Sequence, residues 1–417
     1  MRLLLFALFF PVLFFSQQKE KGAEFINLLL VKKEFNSAYS FFSEEMKTQI
    51  SLPVLQQTVE QIEGQLGKFK NVIEVNNENK NIYFYYSEFE KAKLDIQIAF
   101  DDKSQIIGFF FVPHKEFGKN EDLLNSFNIK SESIMLKGTL LVPKENDKKK
   151  LVIFIHGSGP NDRDETVGEN KPFKNIAEYL LNNGIASYRY DKRTLSNPET
   201  FSDNSTAEQE TINDVVNVFN FFVNDEQYKN YKIILLGHSF GGYLLPKIYQ
   251  KTPEVSKLVF LAANARPLQD IIVEQLQYLN KIDPSNVSAE TIQTTKKQVD
   301  FLNSKKFNLS SKNSDLPFGL SANYWKYLLD YNTFDYLKSI HIPMFFGQGG
   351  RDYQVTEKDF NLWQNQLKNS EYAVFKLYPQ LNHLFINGSI NPSPKDYNVK
   401  GGVDERFLKN LEEFILE

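Results

Sequence analysis

The sequence predicts an α/β fold, a mostly parallel sheet with helices on both faces and a helical insertion, preceded by a small α+β domain. Three observations carry this. From about residue 133 onward, short apolar runs alternate with amphipathic helical stretches. The region before it runs differently, with helices first and closely spaced aromatic-rich strands after. Finally, 417 residues are too many for one ordinary core. With 41% hydrophobic and 24% charged residues the chain is globular rather than disordered. A net charge of −4 provides no broad basic surface, which argues against nucleic acid as the main partner. The chain has no cysteine, which removes disulfides, thiolate metal sites, a cysteine nucleophile and a lipid anchor on cysteine.

The start, MRLLLFALFFPVLFFSQQKEKG, has Arg2 followed by apolar residues from Leu3 to Phe15. This run, broken by Pro11, is too short to span a bilayer comfortably and predicts a secretory signal over residues 1–16, with Ser16 before the cut. Phe14 breaks the usual small-x-small rule, and an uncleaved anchor is the alternative. No later segment reads as a membrane span.

Residues 17–118 form the first domain. Phe25, Leu28, Leu29 and Phe35 open a helical stretch, and Leu52 to Leu66 continues in helical spacing with Gly67 as its stop. Three strands follow: NIYFYY (Asn81 to Tyr86), AKLDIQIAF (Ala92 to Phe100) and IIGFFFV (Ile106 to Val112), the last two joined by the turn DDKS. This part has no catalytic constellation, and His114, at a strand end, reads as a surface residue.

Residues 119–417 form the second domain. SIMLKGTLLVPK predicts a hairpin with a glycine turn, and LVIFIHG a buried strand. A helix from Pro172 puts Phe173, Ile176, Ala177, Leu180 and Leu181 on one face and ends at Gly184. Next come the strand IASYRY and a helix with Ile212, Val215, Val216, Phe219 and Phe222 on one face, with Ser205 and Glu208 at capping-box spacing before it. The strands KIILLG, KLVFLAAN, IPMFFGQG and AVFKLYP complete the alternation. The helical, polar segment at about 265–340 is expected as a cap over the ligand-binding edge. Tyr324 and Trp325 within it are expected to pack a core of their own rather than line a pocket.

One stretch, LLGHSFGG, carries a G-x-S-x-G pattern that alone recurs by chance. Its setting gives it meaning, because Ser239 lies between an apolar strand and a helix that buries Leu244, Leu245 and Ile248. A nucleophilic serine needs a sharp turn there, and Gly237 and Gly241 permit it by removing Cβ atoms. A serine also needs a base. Of the five histidines, only His383 follows the final core strand, where a loop returns over the nucleophile. His238 belongs to the elbow and is expected to turn away, His156 to brace the neighbouring loop, and His341 to be packed or exposed. Asp352, directly after IPMFFGQG, is the carboxylate placed to orient His383. The order Ser239, Asp352, His383 is that of the α/β hydrolases. The oxyanion donors are expected to be the backbone N–H groups of Ser158, in the turn HGSGP, and of Phe240. Gly157 and Gly159 shape that turn.

With these motifs, the chain resembles the α/β-hydrolase superfamily and, more closely, the two-domain bacterial esterases of the "esterase D" lipolytic type. The likeness is sharpest at HGSGPNDRDE (His156 to Glu165), ENKPF (Glu169 to Phe173), ASYRYDKR (Ala186 to Arg193), GHSFGG and the Asp352 and His383 loops. It implies a signal peptide, a small α+β domain of unknown function, and a hydrolase of short-chain carboxylic esters with no metal or organic cofactor. Within the resemblance, Asp162, Arg163, Asp164, Asp191, Lys192 and Arg193 are expected to form ion pairs that hold the oxyanion loop. Its partner is a small ester, and nothing identifies a partner for the first domain. The rival readings are a peptidase on short peptides with the same triad, a deacetylase of polysaccharides, and a binding protein with a lapsed hydrolase fold.

Overall fold

A computed structural model describes residues 10–79, 81–112, 114, 125–284 and 287–417. The first nine residues of the predicted signal and the boundary drawn at 118/119 lie outside the described residues. From Phe10 the chain is helical through Ser16 to Ile26 (α1). Among the described residues no helix is long and apolar enough to cross a membrane. The chain divides into two compact units, Met1–Phe117 and Gly118–Glu417.

In the first unit, α1 is followed by α2 (Phe35–Tyr39), α3 (Glu44–Gln49) and α4 (Leu52–Leu66), which ends at Gly67 as expected. An antiparallel meander follows: β1 (Phe69–Asn79), β2 (Ile82–Phe89), β3 (Lys93–Phe100) and β4 (Ile106–Val112). Strand β1 escaped the sequence reading because FKNVIEVNNEN is polar and has no continuous apolar face. Among the described residues it pairs only with β2, through a register broken by bulges, and this combination suits an exposed edge. Phe25 packs against Phe42 and Phe109 at ring separations of 5.6 and 5.1 Å. Two of the first charged or polar groups past the apolar run are tied to the sheet: Gln18 donates to the Asp101 carbonyl and the Lys19 carbonyl accepts from Tyr85. His114 is half-buried, stacked on Tyr86 with Nδ1 3.1 Å from Asp95, so it is a packed residue rather than a free surface one.

In the second unit the hairpin expected across Gly138 does not form. Ile134–Leu136 (β6) pairs backward with Ile129–Ser131 (β5) as a separate ribbon, while Gly138–Leu141 (β7) joins the main sheet. The alternation explains it: Ile129, Ser131, Ile134 and Leu136 all turn inward, and the Ser131 hydroxyl donates to buried Asp214. The main sheet runs β13-β12-β11-β10-β8-β9-β7. Its strands are β8 (Lys150–Ile155), β9 (Ala186–Tyr190), β10 (Lys232–His238), β11 (Lys257–Leu261), β12 (Met344–Gly349) and β13 (Ala373–Tyr378), all parallel, with β7 antiparallel at the edge.

Both faces are covered, which is why these strands read as unbroken apolar runs. Leu151, Ile153 and Ile155 of β8 point into one core with residues of α6 (Asn213–Asn224), α7 (Phe240–Lys251) and α12 (Glu357–Gln366). Val152 and Phe154 point into the other with α5 (Pro172–Asn182) and α13 (Glu405–Leu416). The α6 cap lies one residue later than expected. Thr206 rather than Ser205 caps the helical turn Glu208–Ile212 that leads into α6: its Oγ1 accepts from the Glu208 N–H, and Gln209 reaches back to the Thr206 N–H at 2.9 Å. Glu208 is thereby released to pair with Lys247 and Lys251.

The 265–340 insertion is not a single cap. Helices α8 (Leu268–Ile282) and α9 (Ala289–Leu302) form its first half, whereas α10 (Ala322–Asp330) and α11 (Thr333–Leu337) join the helical layer beside α7. Trp325 and Tyr324 are buried there, and Tyr331 and Thr333 donate to the Tyr243 carbonyl. Their aromatic bulk fills the main core, not a core private to the insertion.

Candidate active site

Strand order places the site. From β8 the chain moves to β9 on one side, then crosses to β10 on the other, so a crevice opens at the carboxyl ends of β8 and β10. The elbow after β10 and the HGSGP turn after β8 both lie there. Ser239 has φ 53° and ψ −119°, a backbone conformation unfavourable for a residue with a Cβ. A Cβ on Gly237 would lie 2.7 Å from the Gly241 backbone, and one on Gly241 would lie 2.5 Å from the carbonyl oxygens of Ile155 and His156. Strand, turn and helix therefore touch backbone to backbone, and Ser239 stays partly accessible at the tip.

The HGSGP turn faces this serine. A Cβ on Gly157 would sit 3.2 Å from the Ser239 Cβ and 3.7 Å from its Oγ. The Gly157 N–H is already engaged by Glu165 Oε1 at 2.7 Å. The next N–H, that of Ser158, takes part in no hydrogen bond among the described residues. Phe240 begins α7, where the first N–H groups have no partner within the helix. These are the two N–H groups named from the sequence as candidate oxyanion donors.

His383 follows β13 and is buried, with Nδ1 2.6 Å from Asp352 Oδ2. Asp352 is fixed by further donors: the N–H groups of Gln354 and Val355 at 2.8 and 3.0 Å, and Gln348 Nε2 at 3.2 Å. Among the described residues Ser239 Oγ makes no hydrogen bond to His383; without substrate such bonds are commonly long.

His238 departs from expectation. Its ring does not turn away but lies 4.5 Å from that of His383, with Nε2 2.9 Å from the His383 carbonyl oxygen and Nδ1 3.0 Å from Glu165 Oε2. The Glu165 contact is a close ion pair outside hydrogen-bond alignment. Burial by itself would lower the His238 pKa, but the Glu165 carboxylate outweighs it and the pKa is raised. The partner responds in kind: burial pushes Glu165 up, and the charge of His238 more than offsets this to leave it lowered. His156 is buried between Phe173 and Tyr190, and burial pushes its pKa down to about 4, so the ring is neutral at pH 7. His341 is exposed, one of the two placements expected.

The charged residues gather into several pairs around the turn. Arg163 grips Asp191 through Nε and Nη2 at 3.0 and 2.8 Å, and Arg189 pairs with Asp164. Asp162 accepts from Asp164 N, Thr166 N and the Thr166 hydroxyl, and burial with the nearby Asp164 raises it to about 6. Arg193 pairs with Asp214 and Glu132, away from the turn. Lys192 reaches both the Gly157 carbonyl at 2.8 Å and Glu210 at 2.5 Å. Asn161 donates to the carbonyls of Gly157 and Ser158 at 3.2 and 3.1 Å, and to Gly159 at 3.4 Å. Sequence reasoning missed Glu165 and Glu210 as partners, since nothing local links them to His238 or Lys192. A cleft of about 330 Å³ beside Asp352 is lined by Glu274, Tyr278, Arg351, Tyr353 and Glu357 among others.

This sheet order, with a strained serine after its central strand, defines an α/β hydrolase. Residues 146–389 match the family described as "Serine aminopeptidase, S33", and residues 23–109 one described as a "Protein of unknown function". Over the full length of both chains the sequence is 30% identical to "Esterase EstD" of Thermotoga maritima. Solved structures similar to this one include Est1E from Butyrivibrio proteoclasticus, at 17% identity and TM-score 0.44, covering 70% of this chain and 96% of that one. Another is the Pyrococcus furiosus esterase Pf2001, at 16% identity and TM-score 0.46, covering 72% of this chain and 94% of that one. The chain belongs to the family described as "Serine aminopeptidase, S33" and to the α/β-hydrolase esterases of the EstD type.

Proposed function

We propose that this protein hydrolyses short-chain carboxylic esters through an acyl-enzyme on Ser239. The observation that carries the reading is the 2.6 Å contact of His383 with Asp352, on a loop whose His383 carbonyl meets His238, next to the strained Ser239. Ser239 Oγ attacks the ester carbonyl while His383 Nε2 takes its proton. Asp352 holds His383 with Nδ1 protonated, so that Nε2 is the basic nitrogen. The N–H groups of Ser158 and Phe240 receive the oxyanion. His383 then protonates the departing alcohol, and water activated by the same ring releases the acid.

The test compares wild type with Ser239→Ala on p-nitrophenyl acetate, p-nitrophenyl decanoate and an aminoacyl p-nitroanilide. The expected outcome is loss of at least about 10³-fold of acetate turnover in the variant, with little wild-type action on decanoate or anilide. Equal rates for the two proteins would remove Ser239 from the mechanism.

An aminopeptidase is the second reading, favoured by the Glu274 and Glu357 carboxylates in the cleft beside Asp352. Glu274 is already paired with Arg266 and Lys358, which leaves less charge for a substrate amine, so the ester reading is preferred. Anilide cleavage exceeding ester cleavage would reverse that order. We also propose export, with residues 1–16 as the signal. The tethering of Gln18 and Lys19 to the first unit's sheet supports it by placing the folded region just past the cut. Cell fractionation tests export and N-terminal sequencing tests the cut: recovery in the cytoplasm alone would defeat export, and an exported chain that still begins at Met1 would defeat cleavage after Ser16.

A further inference from the structure

Lys192 stands apart among the charged groups around the turn because of the atom it touches. Its Nζ donates to the Gly157 carbonyl oxygen at 2.8 Å, and the side chain is fully enclosed. That carbonyl and the Ser158 N–H belong to one peptide group. A trans peptide is planar, with C=O and N–H pointing in opposite directions, so a cation on the oxygen both aims the N–H and withdraws electrons from it. Asn161 Nδ2 adds a weaker second donor to the same oxygen at 3.2 Å. On the preceding peptide, Glu165 holds the Gly157 N–H. Gly157 is thus clamped on both sides, an acid on its N–H and a cation on its carbonyl.

We infer that Lys192 is a positioning residue for the oxyanion site, acting through the Gly157–Ser158 peptide to orient and strengthen the Ser158 N–H as a donor. The inference rests on the proposed acyl-transfer reading, in which that N–H receives the oxyanion. Lys192 is itself held in place. Glu210 pairs with its Nζ at 2.5 Å, and the Tyr324 hydroxyl donates to the other oxygen of Glu210. This draws the carboxylate charge partly toward Tyr324 and leaves the ammonium as the nearest charge to the peptide oxygen. The chain Tyr324, Glu210, Lys192, Gly157 therefore connects the α10 helix of the insertion to the turn facing Ser239.

Because the effect passes through the oxyanion, it should be felt in the transition state and not in substrate binding. Lys192→Met removes the cation but leaves Glu210 buried without its partner, so Lys192→Met with Glu210→Gln is measured beside it as a neutral replacement of the pair. An organophosphate titrant counts the molecules with a reactive Ser239 in each preparation, and kcat refers to these alone. Removing a whole oxyanion donor costs about 10²–10³ in kcat, so weakening one is expected to cost about 10–100-fold with KM within about twofold. The decisive readout is the rate ratio between p-nitrophenyl acetate and its thiono analogue, whose sulfur accepts hydrogen bonds poorly. The ratio should fall in both variants by the same factor as kcat, and Lys192→Arg, which keeps a cationic donor, should restore it. A loss of kcat with the wild-type ratio retained, or an Arg variant no better than Met, would overturn the inference and reduce Lys192 to a structural ion pair. Full activity in Ser239→Ala would instead overturn the underlying reading, so the two failures are told apart.

Discussion

Gly241→Ala puts the geometry of the elbow under direct strain. The added methyl would sit 2.5 Å from the carbonyl oxygens of both Ile155 and His156, where no real Cβ comes nearer than 3.0 Å. Both obstacles are backbone at the end of β8, so no flexible side chain can swing aside. The strand end or the helix start must move by at least about 0.5 Å. Overpacking of this kind costs about 1–3 kcal/mol. In a unit of this size that corresponds to a Tm lower by roughly 2–10 °C. The catalytic consequence should be larger than the stability one, because the displaced segment leads straight into Gly157 and Ser158. A misplacement near 1 Å costs about 100-fold, so half of that is expected to lower kcat at least about tenfold. The assay is p-nitrophenyl acetate hydrolysis beside thermal unfolding by circular dichroism. Gly402→Ala serves as the control, since a methyl there meets nothing within 4 Å. If Gly241→Ala keeps kcat within twofold and Tm unchanged, close backbone approach is not what requires glycine at the elbow.

Asp352→Asn should preserve the fold but favour the wrong His383 tautomer, lowering kcat about 10³–10⁴-fold, as steady-state kinetics would show. Glu165→Gln tests the buried pair with His238. Glu165 is lowered, so its contribution is present above its ordinary 4.5 and lost on acidification; His238 is raised, so its contribution is present below 6.5 and lost as pH rises through the raised value. The wild type should therefore exceed the variant most between about pH 4.5 and 6.5, by about 3–5 kcal/mol, and a pH-independent difference in chemical denaturation would refute the pairing. Asp162 works in the opposite sense. Its pKa is raised from 3.8 to about 6, so it favours folding at low pH and that contribution is lost as pH rises through this range. Asp162→Asn should gain about 1–3 kcal/mol at pH 7.5 and nothing at pH 3, measured by denaturant titration.

Much of this was legible in the sequence because it depends on local spacing. An apolar run of five or six residues bounded by turns reads as a buried strand, and LVIFIH, IASYRY and KIILLG became β8, β9 and β10. Gly237 and Gly241 around Ser239 announce a tight turn because each lets backbone approach closely, the start of the helix at Gly237 and the end of β8 at Gly241. Position after a strand was enough to choose His383 and Asp352, since strand ends in a parallel sheet share one edge. Strand β1 was illegible for the opposite reason: an edge strand buries little, and its polar residues carry no alternating pattern.

What only the tertiary structure decided are contacts between residues distant in sequence and held by burial. Nothing in GHSFGG reveals that His238 bridges Glu165 and the His383 carbonyl, because that contact exists only once β8, β10 and the last loop meet. Nor could RYDKR reveal that Lys192 turns to the Gly157 carbonyl while its neighbour Arg193 turns to Asp214. Hydrophobic periodicity places a backbone element, but a buried charge goes to whichever partner the assembled elements bring within reach, and its desolvation makes that choice binding. The sequence by itself determined the class of fold, the order of its elements and the position of the tight turn that carries Ser239. Folding decided which acids and bases surround that loop, because only in three dimensions do their distances exist.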